Sequence, residues 1–126
     1  MNILGVGMDI VETKRIADSI ERFGDRFLHR VFLEGELAYS NGMKFPHLHL
    51  AARFAAKEAI SKAFGTGIGK EIGWRDLEIV REPGGAPKVR LHGRAEDYAK
   101  MRGVQEVHIS LSHTAEYGAA SAVIAG

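Results

Sequence analysis

Residues 53–70 read RFAAKEAISKAFGTGIGK, and this stretch decides the fold of the chain. Alanines recur here at helical spacing, which predicts a helix from about His47 to Phe64, directly after Pro46. Because an α-helix turns by about 100° per residue, the alanines gather on one face. They are Ala52, Ala55, Ala56, Ala59 and Ala63. Small side chains let another backbone approach closely, so we expect this helix to be buried along much of its length.

Two charged residues lie beside the alanine face. Glu58 and Lys62 are one helical turn apart, so they point in nearly the same direction. The plain interpretation is a surface ion pair that stabilises the helix by about 0.2–0.5 kcal/mol. The functional interpretation is a carboxylate for a hard metal ion next to an ammonium group for phosphate. The spacing is compatible with both.

The functional interpretation requires a second carboxylate, because a single one holds magnesium poorly. Asp9 is the best candidate, since it lies in the apolar segment MDIV, where a charge has no packing role. The alternatives for Asp9 are a helix N-cap or a surface turn. Glu12 is a close second candidate, although it equally suits a partner for the dipole of the following helix.

The N-terminal third of the chain predicts a strand followed by short helices. Residues 3–11 form an apolar run broken by glycines, which is typical of a buried strand. A helix with an apolar stripe is expected from Thr13 to Phe23, and Gly24 is expected to end it. Asp25 then suits the cap of a second short helix. Residues 34–41 predict a third.

The C-terminal half changes to strand periodicity. Residues 77–81 and 88–92 flank the turn sequence PGGAP, which predicts a hairpin. Residues 93–102 predict a helix, and residues 107–112 alternate between apolar and polar as in a half-buried strand. A last strand at 117–124 is expected to run antiparallel to it. This order of elements favours an α+β fold with a mostly antiparallel sheet and a long buried helix.

Length and composition limit the class of protein. The chain has 126 residues, which predicts a single domain over 1–126. Cysteine is absent, so no disulfide framework or thiolate metal site is expected, and a reducing compartment fits. We find no signal-peptide pattern and no apolar run near 20 residues, so we expect a soluble, cytoplasmic protein without a membrane partner. The net charge of +1 gives no general indication of nucleic-acid binding.

Two glycine-rich segments resemble nucleotide motifs but fail the match. In residues 65–70, Phe64 replaces the first glycine of a P-loop and Glu71 replaces its Ser/Thr. In residues 5–10, Ile10 replaces the third glycine of a dinucleotide fingerprint. The 65–70 loop is either a flexible connection or a source of backbone N–H groups for an anion.

The segment ISLSHT places serines beside a histidine near the C-terminus. Ser110, Ser112 and His113 suggest a nucleophile and base, but no G-x-S-x-G elbow exists, and adjacent strand residues point to opposite faces. A Ser–His hydrolase is therefore disfavoured. We expect His113 to hydrogen-bond a ligand or the backbone, and Trp74 to be a core anchor.

Two motifs together resemble one family. GVGMDIVE at residues 5–12 and RFAAKEAISKAFGTG at residues 53–67 are similar to the holo-acyl-carrier-protein synthases, the small bacterial 4′-phosphopantetheinyl transferases of fatty-acid synthesis. ISLSHT at residues 109–114 is also similar to that family. The resemblance extends over essentially the whole chain, including its length, and implies the 4′-phosphopantetheinyl transferase fold.

The resemblance also implies an activity and its partners. Coenzyme A and an apo acyl carrier protein would yield the holo carrier and adenosine 3′,5′-bisphosphate. The family is magnesium-dependent and typically trimeric, with sites between subunits. By motif, Asp9 and Glu58 would hold magnesium, and Lys62 would be the catalytic lysine at the diphosphate. Lys57 matches a second lysine of the motif and is expected to bind coenzyme A. The base that deprotonates the carrier serine is either Glu58 or a metal-bound water.

Further assignments follow the same resemblance. The loop at Gly65, Thr66 and Gly67 would cover the diphosphate. Arg53 would meet the 3′-phosphate of coenzyme A. His113 and Thr114 would contact its nucleotide end.

Acyl carrier proteins are strongly acidic, so the resemblance also implies a basic docking face. Arg15 and Arg22 share one face of the first predicted helix, and Arg26 joins them from the next. Asp18 lies nearby and weakens the positive patch. The alternative is a solvated face of mixed charge.

Two other functions are compatible with parts of the pattern. A related transferase would modify carriers of polyketide or peptide assembly, but its typical members are two-fold repeats of about twice this length. A non-catalytic nucleotide-binding or oligomerisation module would need neither Asp9 nor Glu58.

Overall fold

The computed structural model describes residues 1–81 and 83–126. Within them, the helices are α1 (Thr13–Phe23), α2 (Asp25–Val31), α3 (Glu34–Asn41), α4 (Pro46–Phe64) and α5 (Gly93–Met101). The strands are β1 (Ile3–Glu12), β2 (Leu77–Arg81), β3 (Pro87–Leu91), β4 (Glu106–His113) and β5 (Tyr117–Ala125). A short 3₁₀ turn at Trp74–Asp76 precedes β2. The sequence predicted the bounds of these helices and strands to within a residue or two, except for α2, for which it predicted only a short helix near Asp25.

The described strands form two antiparallel sheets. One has the order β1-β5-β4, and the other is the hairpin of β2 and β3. The α+β class with antiparallel pairing is confirmed, although the hairpin is separate from the main sheet. In the main sheet, Met8 pairs with Ser121, which in turn pairs with Ser110. The turn between β4 and β5 lies at Thr114, as expected, and the Thr114 hydroxyl accepts hydrogen bonds from the backbone of Glu116 and Tyr117.

Glycines end two of the helices in the way that the sequence predicts. Gly24 follows α1 with φ 56°, and Gly65 follows α4 in the left-handed conformation with φ 79°. Such values favour a residue without a Cβ. The expected cap at Asp25 is wrong. Gly24 occupies the cap position of α2, Asp25 is the first helical residue, and no side-chain hydrogen bond caps this helix.

Helix α4 lies across the inner face of the three-stranded sheet, where its five predicted alanines are all buried. The strands come close enough that side chains would not fit between them and α4. A Cβ added at Gly7 would overlap the carbonyl oxygen of Ala59, and one added at Gly118 would lie 2.7 Å from the carbonyl carbon of Ala51. The glycines of the strands and the alanines of α4 therefore set the distance between sheet and helix together.

The outer face of the same sheet carries exposed apolar side chains. On β1, Val6, Met8 and Ile10 are 66%, 71% and 64% exposed. The alternating residues Gly7 and Val11 face α4 and are buried. The strand is thus apolar on both faces, and only the inner face is covered within one chain.

Trp74 packs at the edge of the core. Its indole stacks on Phe54 with ring centroids 4.8 Å apart, and it remains partly exposed. Across the residues described, no helix has the length and apolarity needed to span a bilayer.

The contact between Gly7 and Ala59 can be tested by a single methyl group. We expect Gly7→Ala to lower the free energy of unfolding by ~2 kcal/mol or more, because overpacking forces β1 away from α4. Gly69→Ala is the matched control, since a Cβ there meets no atom within 4 Å. Urea unfolding at a fixed protein concentration measures both, and equal midpoints for the two variants would contradict this account of the packing.

Candidate active site

Asp9 lies on β1 and Glu58 lies on α4, both at the contact between these two elements. Asp9 occupies the inner face of β1, and its side chain is only 17% exposed. Partial burial raises the pKa of Glu58, the negative charge of Asp9 raises it further, and the cations of Lys62 and Arg15 oppose the shift. The two acids that the sequence singled out therefore act on each other electrostatically, across 48 intervening residues.

Lys62 connects the strand and the helix. Its Nζ donates hydrogen bonds to Asp9 Oδ1 at 2.9 Å and to the Met8 carbonyl oxygen at 3.1 Å. The hydrogen bond and charge of Asp9 raise the pKa of Lys62, so the side chain remains a cation. Its ion pair is with Asp9 and not with Glu58, so the surface-pair interpretation of Glu58 and Lys62 is wrong.

The donor set fits a magnesium ion that shares its coordination with a substrate. Among residues 1–81 and 83–126, no three histidine, aspartate or glutamate side chains cluster into a complete metal site. Magnesium is commonly held by one or two carboxylates and completed by water and substrate phosphates. Asp9 and Glu58 supply that number of oxygen ligands, and the neighbouring ammonium group of Lys62 suits a phosphate.

Lys57 has a structural position that the motif did not indicate. Its side chain is fully buried, and its Nζ donates to the Val31 carbonyl at 2.6 Å, to Glu36 Oε1 at 2.8 Å and to the Trp74 carbonyl at 3.1 Å. Burial lowers the pKa of Lys57, and the charge of Glu36 opposes that shift. An ammonium group has three protons to donate, and all three have protein acceptors. We therefore do not include Lys57 among the coenzyme A contacts.

The glycine loop after α4 uses several of its N–H groups internally. Gly65 donates to the Lys62 carbonyl, while Thr66 and Gly67 both donate to the Ser61 carbonyl. These bonds satisfy the C-terminal carbonyls of the helix. These three N–H groups are therefore engaged at the end of the helix, and the expectation that Gly65, Thr66 and Gly67 cover the diphosphate stays a prediction.

Arg53 and His113 lie together in a cavity of about 450 Å³. Tyr39, His49 and Arg81 also line it. The sequence analysis did not identify these three residues. His49 is one helical turn before Arg53, so the spacing could have revealed it, whereas Tyr39 and Arg81 come from other elements. Thr114 is not among the lining residues, and its hydroxyl instead shapes the turn after β4.

Arg53 is buried and only partly hydrogen-bonded. It is 2% exposed, its Nη1 donates to the His49 carbonyl at 3.3 Å, and its guanidinium lies 4.2 Å from the ring centroid of Tyr39. Its Nε and Nη2 have no hydrogen-bond partner among the described residues. Buried donors are nearly always paired in folded proteins, so these two point to a ligand.

The three arginines of the expected docking face lie on α1 and α2. The guanidinium carbon of Arg15 lies 5.6 Å from the centroid of the Phe54 ring, and the positive charge of Arg15 opposes the upward shift of the Glu58 pKa. Arg22 packs over Phe23, which is 48% exposed, and Arg26 lines a neighbouring cavity of about 310 Å³. The basic face therefore begins beside the two acids and extends along α1.

Asp18, which was expected to weaken the patch, is paired locally. Its carboxylate lies 2.8 Å from Lys14 Nζ, and both side chains are largely exposed. That pair is a solvated surface contact, which contributes little to stability. Its two charges offset each other, so the three arginines still leave the face positive.

Comparisons of the sequence and of the structure with known proteins point to the same family. The sequence profile of the 4′-phosphopantetheinyl transferase superfamily matches residues 5–121. A holo-[acyl-carrier-protein] synthase of Koribacter versatilis is 48% identical over 97% of this chain and 98% of its own length. The crystal structure of holo-[acyl-carrier-protein] synthase from Neisseria meningitidis superposes with a TM-score of 0.91 at 33% identity, over 99% of this chain and 100% of that one.

A third similar protein was solved with a ligand. Holo-[acyl-carrier-protein] synthase of Helicobacter pylori, in complex with coenzyme A, is 32% identical with a TM-score of 0.85, over 95% of this chain and 99% of that one. The chain belongs to the 4′-phosphopantetheinyl transferase superfamily. Its relatives of near-equal length are holo-[acyl-carrier-protein] synthases.

Proposed function

We propose that this protein transfers the 4′-phosphopantetheine group of coenzyme A to a serine of an apo acyl carrier protein. Its relatives carry that name over their full length, and one of them is known with coenzyme A bound. The observation in this chain that supports it most directly is the grouping of Asp9, Glu58 and Lys62 at the contact of β1 and α4. A diphosphate substrate requires charges of this kind.

The side chains divide the chemistry among them. Asp9 and Glu58 would hold a magnesium ion, which when bound polarises the phosphoryl oxygens and neutralises developing charge. Lys62 is half exposed, so it can turn from Asp9 to the leaving phosphate and stabilise the charge there. Glu58 is partly buried at the same contact, so its carboxylate could accept the proton of the attacking hydroxyl.

In the proposed reaction, the serine oxygen of the carrier attacks the phosphorus attached to pantetheine. A new phosphorus–oxygen bond forms to the serine, and the bond to the 5′-phosphate of the nucleotide breaks. The serine proton passes to Glu58, and adenosine 3′,5′-bisphosphate leaves with the electron pair of the broken bond. Arg53 and His113 would hold its 3′-phosphate in the cavity that they line.

We propose a homotrimer with β1 at the subunit contact. The exposed side chains of Val6, Met8 and Ile10 form an apolar surface on a strand whose other face is already packed. Such surfaces commonly mark protein contacts. Met8 and Ile10 flank Asp9 in sequence, so a neighbouring copy on this face would lie beside the acids and could complete the coenzyme A site.

The trimer can be tested by sedimentation equilibrium. We expect the mass of three chains at the concentrations used for assays. Met8→Glu should lower that mass by placing a charge in the contact, whereas Lys88→Glu on the separate hairpin should not. A wild-type mass of one chain would contradict the proposal.

The proposed setting is fatty-acid synthesis in the cytoplasm. It rests on the family resemblance, and the absence of cysteine is compatible with a reducing compartment.

The transfer itself is tested by mass spectrometry of an apo acyl carrier protein incubated with coenzyme A and magnesium. The wild type should add the mass of phosphopantetheine. We expect Asp9→Asn to lower kcat/KM by ~10²-fold or more, because a ligand of the divalent ion is lost. Glu96→Gln is the control, since its carboxylate pairs with Lys100 on the exposed surface of α5. No mass gain with any carrier, or full activity of Asp9→Asn, would contradict the proposal.

The docking face is tested by reversing one of its charges. Arg22→Glu should raise the KM for the carrier by about tenfold at low salt, with a smaller effect on kcat, because docking to an acidic partner is electrostatic. The difference from wild type should shrink at high salt as charges are screened. Lys88→Glu changes the net charge equally but lies on β3, so its KM should stay near that of wild type. An Arg22→Glu KM that matches wild type at every salt concentration would remove this face from docking.

A further inference from the structure

The cavity that contains Arg53 gathers basic side chains from three elements. His49 and Arg53 come from α4, Arg81 from β2 and His113 from β4, while Tyr39 of α3 closes the wall. Among the described residues, none of those lining the cavity is acidic. A concave site with two permanent cations and two imidazoles suits an anion with more than one charge.

The two histidines are in direct contact. The ring centroids of His49 and His113 are 4.8 Å apart, and the planes meet at 65°. The ring of Tyr39 packs against the other side of His49, with centroids 6.0 Å apart. Arg53 contacts Tyr39 and His49, because its guanidinium lies over the Tyr39 ring and its Nη1 donates a hydrogen bond to the His49 carbonyl. His49 thus lies at the centre of the cluster.

The charge of the ligand can be matched to the charge of the cavity. A phosphate monoester carries about −1.5 to −2 near neutral pH, because its second pKa is about 6. Of the phosphates in coenzyme A, only the 3′-phosphate is a monoester, while each phosphate of the diphosphate bridge carries a single charge. The unpaired Nε and Nη2 of Arg53 provide donors for the extra oxygens.

We propose that His49, together with His113, makes recognition of the 3′-phosphate of coenzyme A pH-dependent, so that preference for the 3′-phosphorylated nucleotide weakens between about pH 6.5 and 8.5. This inference rests on the proposed function, because it assigns the 3′-phosphate to the same cavity. His49 is a specificity residue in it and takes no part in the transfer.

The direction of the pH effect follows from the surroundings of His49. Burial lowers the pKa of His49, and the positive charges of His113, Arg53 and Arg81 lower it further. Tyr39 is the remaining titratable group of the wall. A bound dianion would oppose the repulsion among the cations, so the pKa of His49 is higher in the complex than in the free protein.

Linkage then fixes the sign of the change in affinity. A group whose pKa rises on binding strengthens binding below its free pKa, and this gain is lost as pH rises through its bound pKa. Each unit of upward shift corresponds to tenfold tighter binding. Below about pH 6 the ligand itself takes up a proton and loses charge, which sets the lower limit of the effect.

The experiment compares two nucleotides that differ only in the 3′-phosphate. Calorimetry gives the affinities of adenosine 3′,5′-bisphosphate and adenosine 5′-monophosphate at pH 6.5 and 8.5, without carrier protein. For the wild type, we expect the affinity ratio to be about tenfold larger at the lower pH. In His49→Phe, which keeps the ring contact with His113, that change should fall to about threefold or less. His47→Phe is the matched control on the same helix, outside the cavity, and should behave as wild type.

A second measurement covers the case in which His49→Phe does not fold. Imidazole titrations of the wild type by NMR should show the pKa of His49 rising when adenosine 3′,5′-bisphosphate is added. Three results would overturn the inference. They are an affinity ratio that does not change with pH in the wild type, a folded His49→Phe whose ratio changes with pH as much as that of the wild type, and a His49 pKa that does not rise when the nucleotide is added. If the protein transfers phosphopantetheine but its affinity ratio does not change with pH, only this inference is wrong. If the ratio changes with pH but no transfer occurs, the proposed reaction is wrong.

Discussion

The close contact between β1 and α4 is the constraint on which the rest of the structure depends. A strand carrying side chains on its inner face could not approach a helix this closely, and here the strand presents Gly5 and Gly7 to the backbone of Ala59 and Ala63. The next inward residue on the strand is Asp9. The same contact that packs the core thereby brings an acid of the strand to the helix that carries Glu58 and Lys62. The close approach of β1 to α4 therefore both packs the core and assembles the candidate active site.

Neighbouring residues of the helical motif have different tasks because they lie on different sides of α4. Lys57 points into the protein, where Glu36 and two backbone carbonyls take its protons. Glu36 also accepts from the backbone N–H groups of Leu33 and Ile79. This buried pair ties α4 to α3 and β2, and removing one partner would strand the other charge, at a cost of roughly 3–5 kcal/mol. Glu58 lies about 100° further round the helix, at the contact with β1.

Local rules were enough to predict most of the fold. The limits of α4 follow from Pro46 and Gly65, and the alternation of residues 107–112 matches β4. The sequence also predicted that Asp9 lies near α4, since a magnesium ion needs a second carboxylate besides Glu58, but it did not predict the ion pair of Asp9 with Lys62. What the sequence did not indicate depends on contacts between distant elements. The partner of Lys57 lies 21 residues away, and Arg81 reaches the Arg53 cavity from a different sheet. Helical spacing contains no information on either contact.

The central claim is that Asp9 and Glu58 act together on one divalent ion beside a bound diphosphate. The most direct measurement is a double-mutant cycle on Mn²⁺ affinity, followed by electron paramagnetic resonance in the presence of coenzyme A, for Asp9→Asn, Glu58→Gln and the double variant. If the two carboxylates share the ion, each single variant should lose most of what the double variant loses, with a coupling of about 1 kcal/mol or more. Losses that add to within about 0.3 kcal/mol, or wild-type affinity in either single variant, would contradict the account.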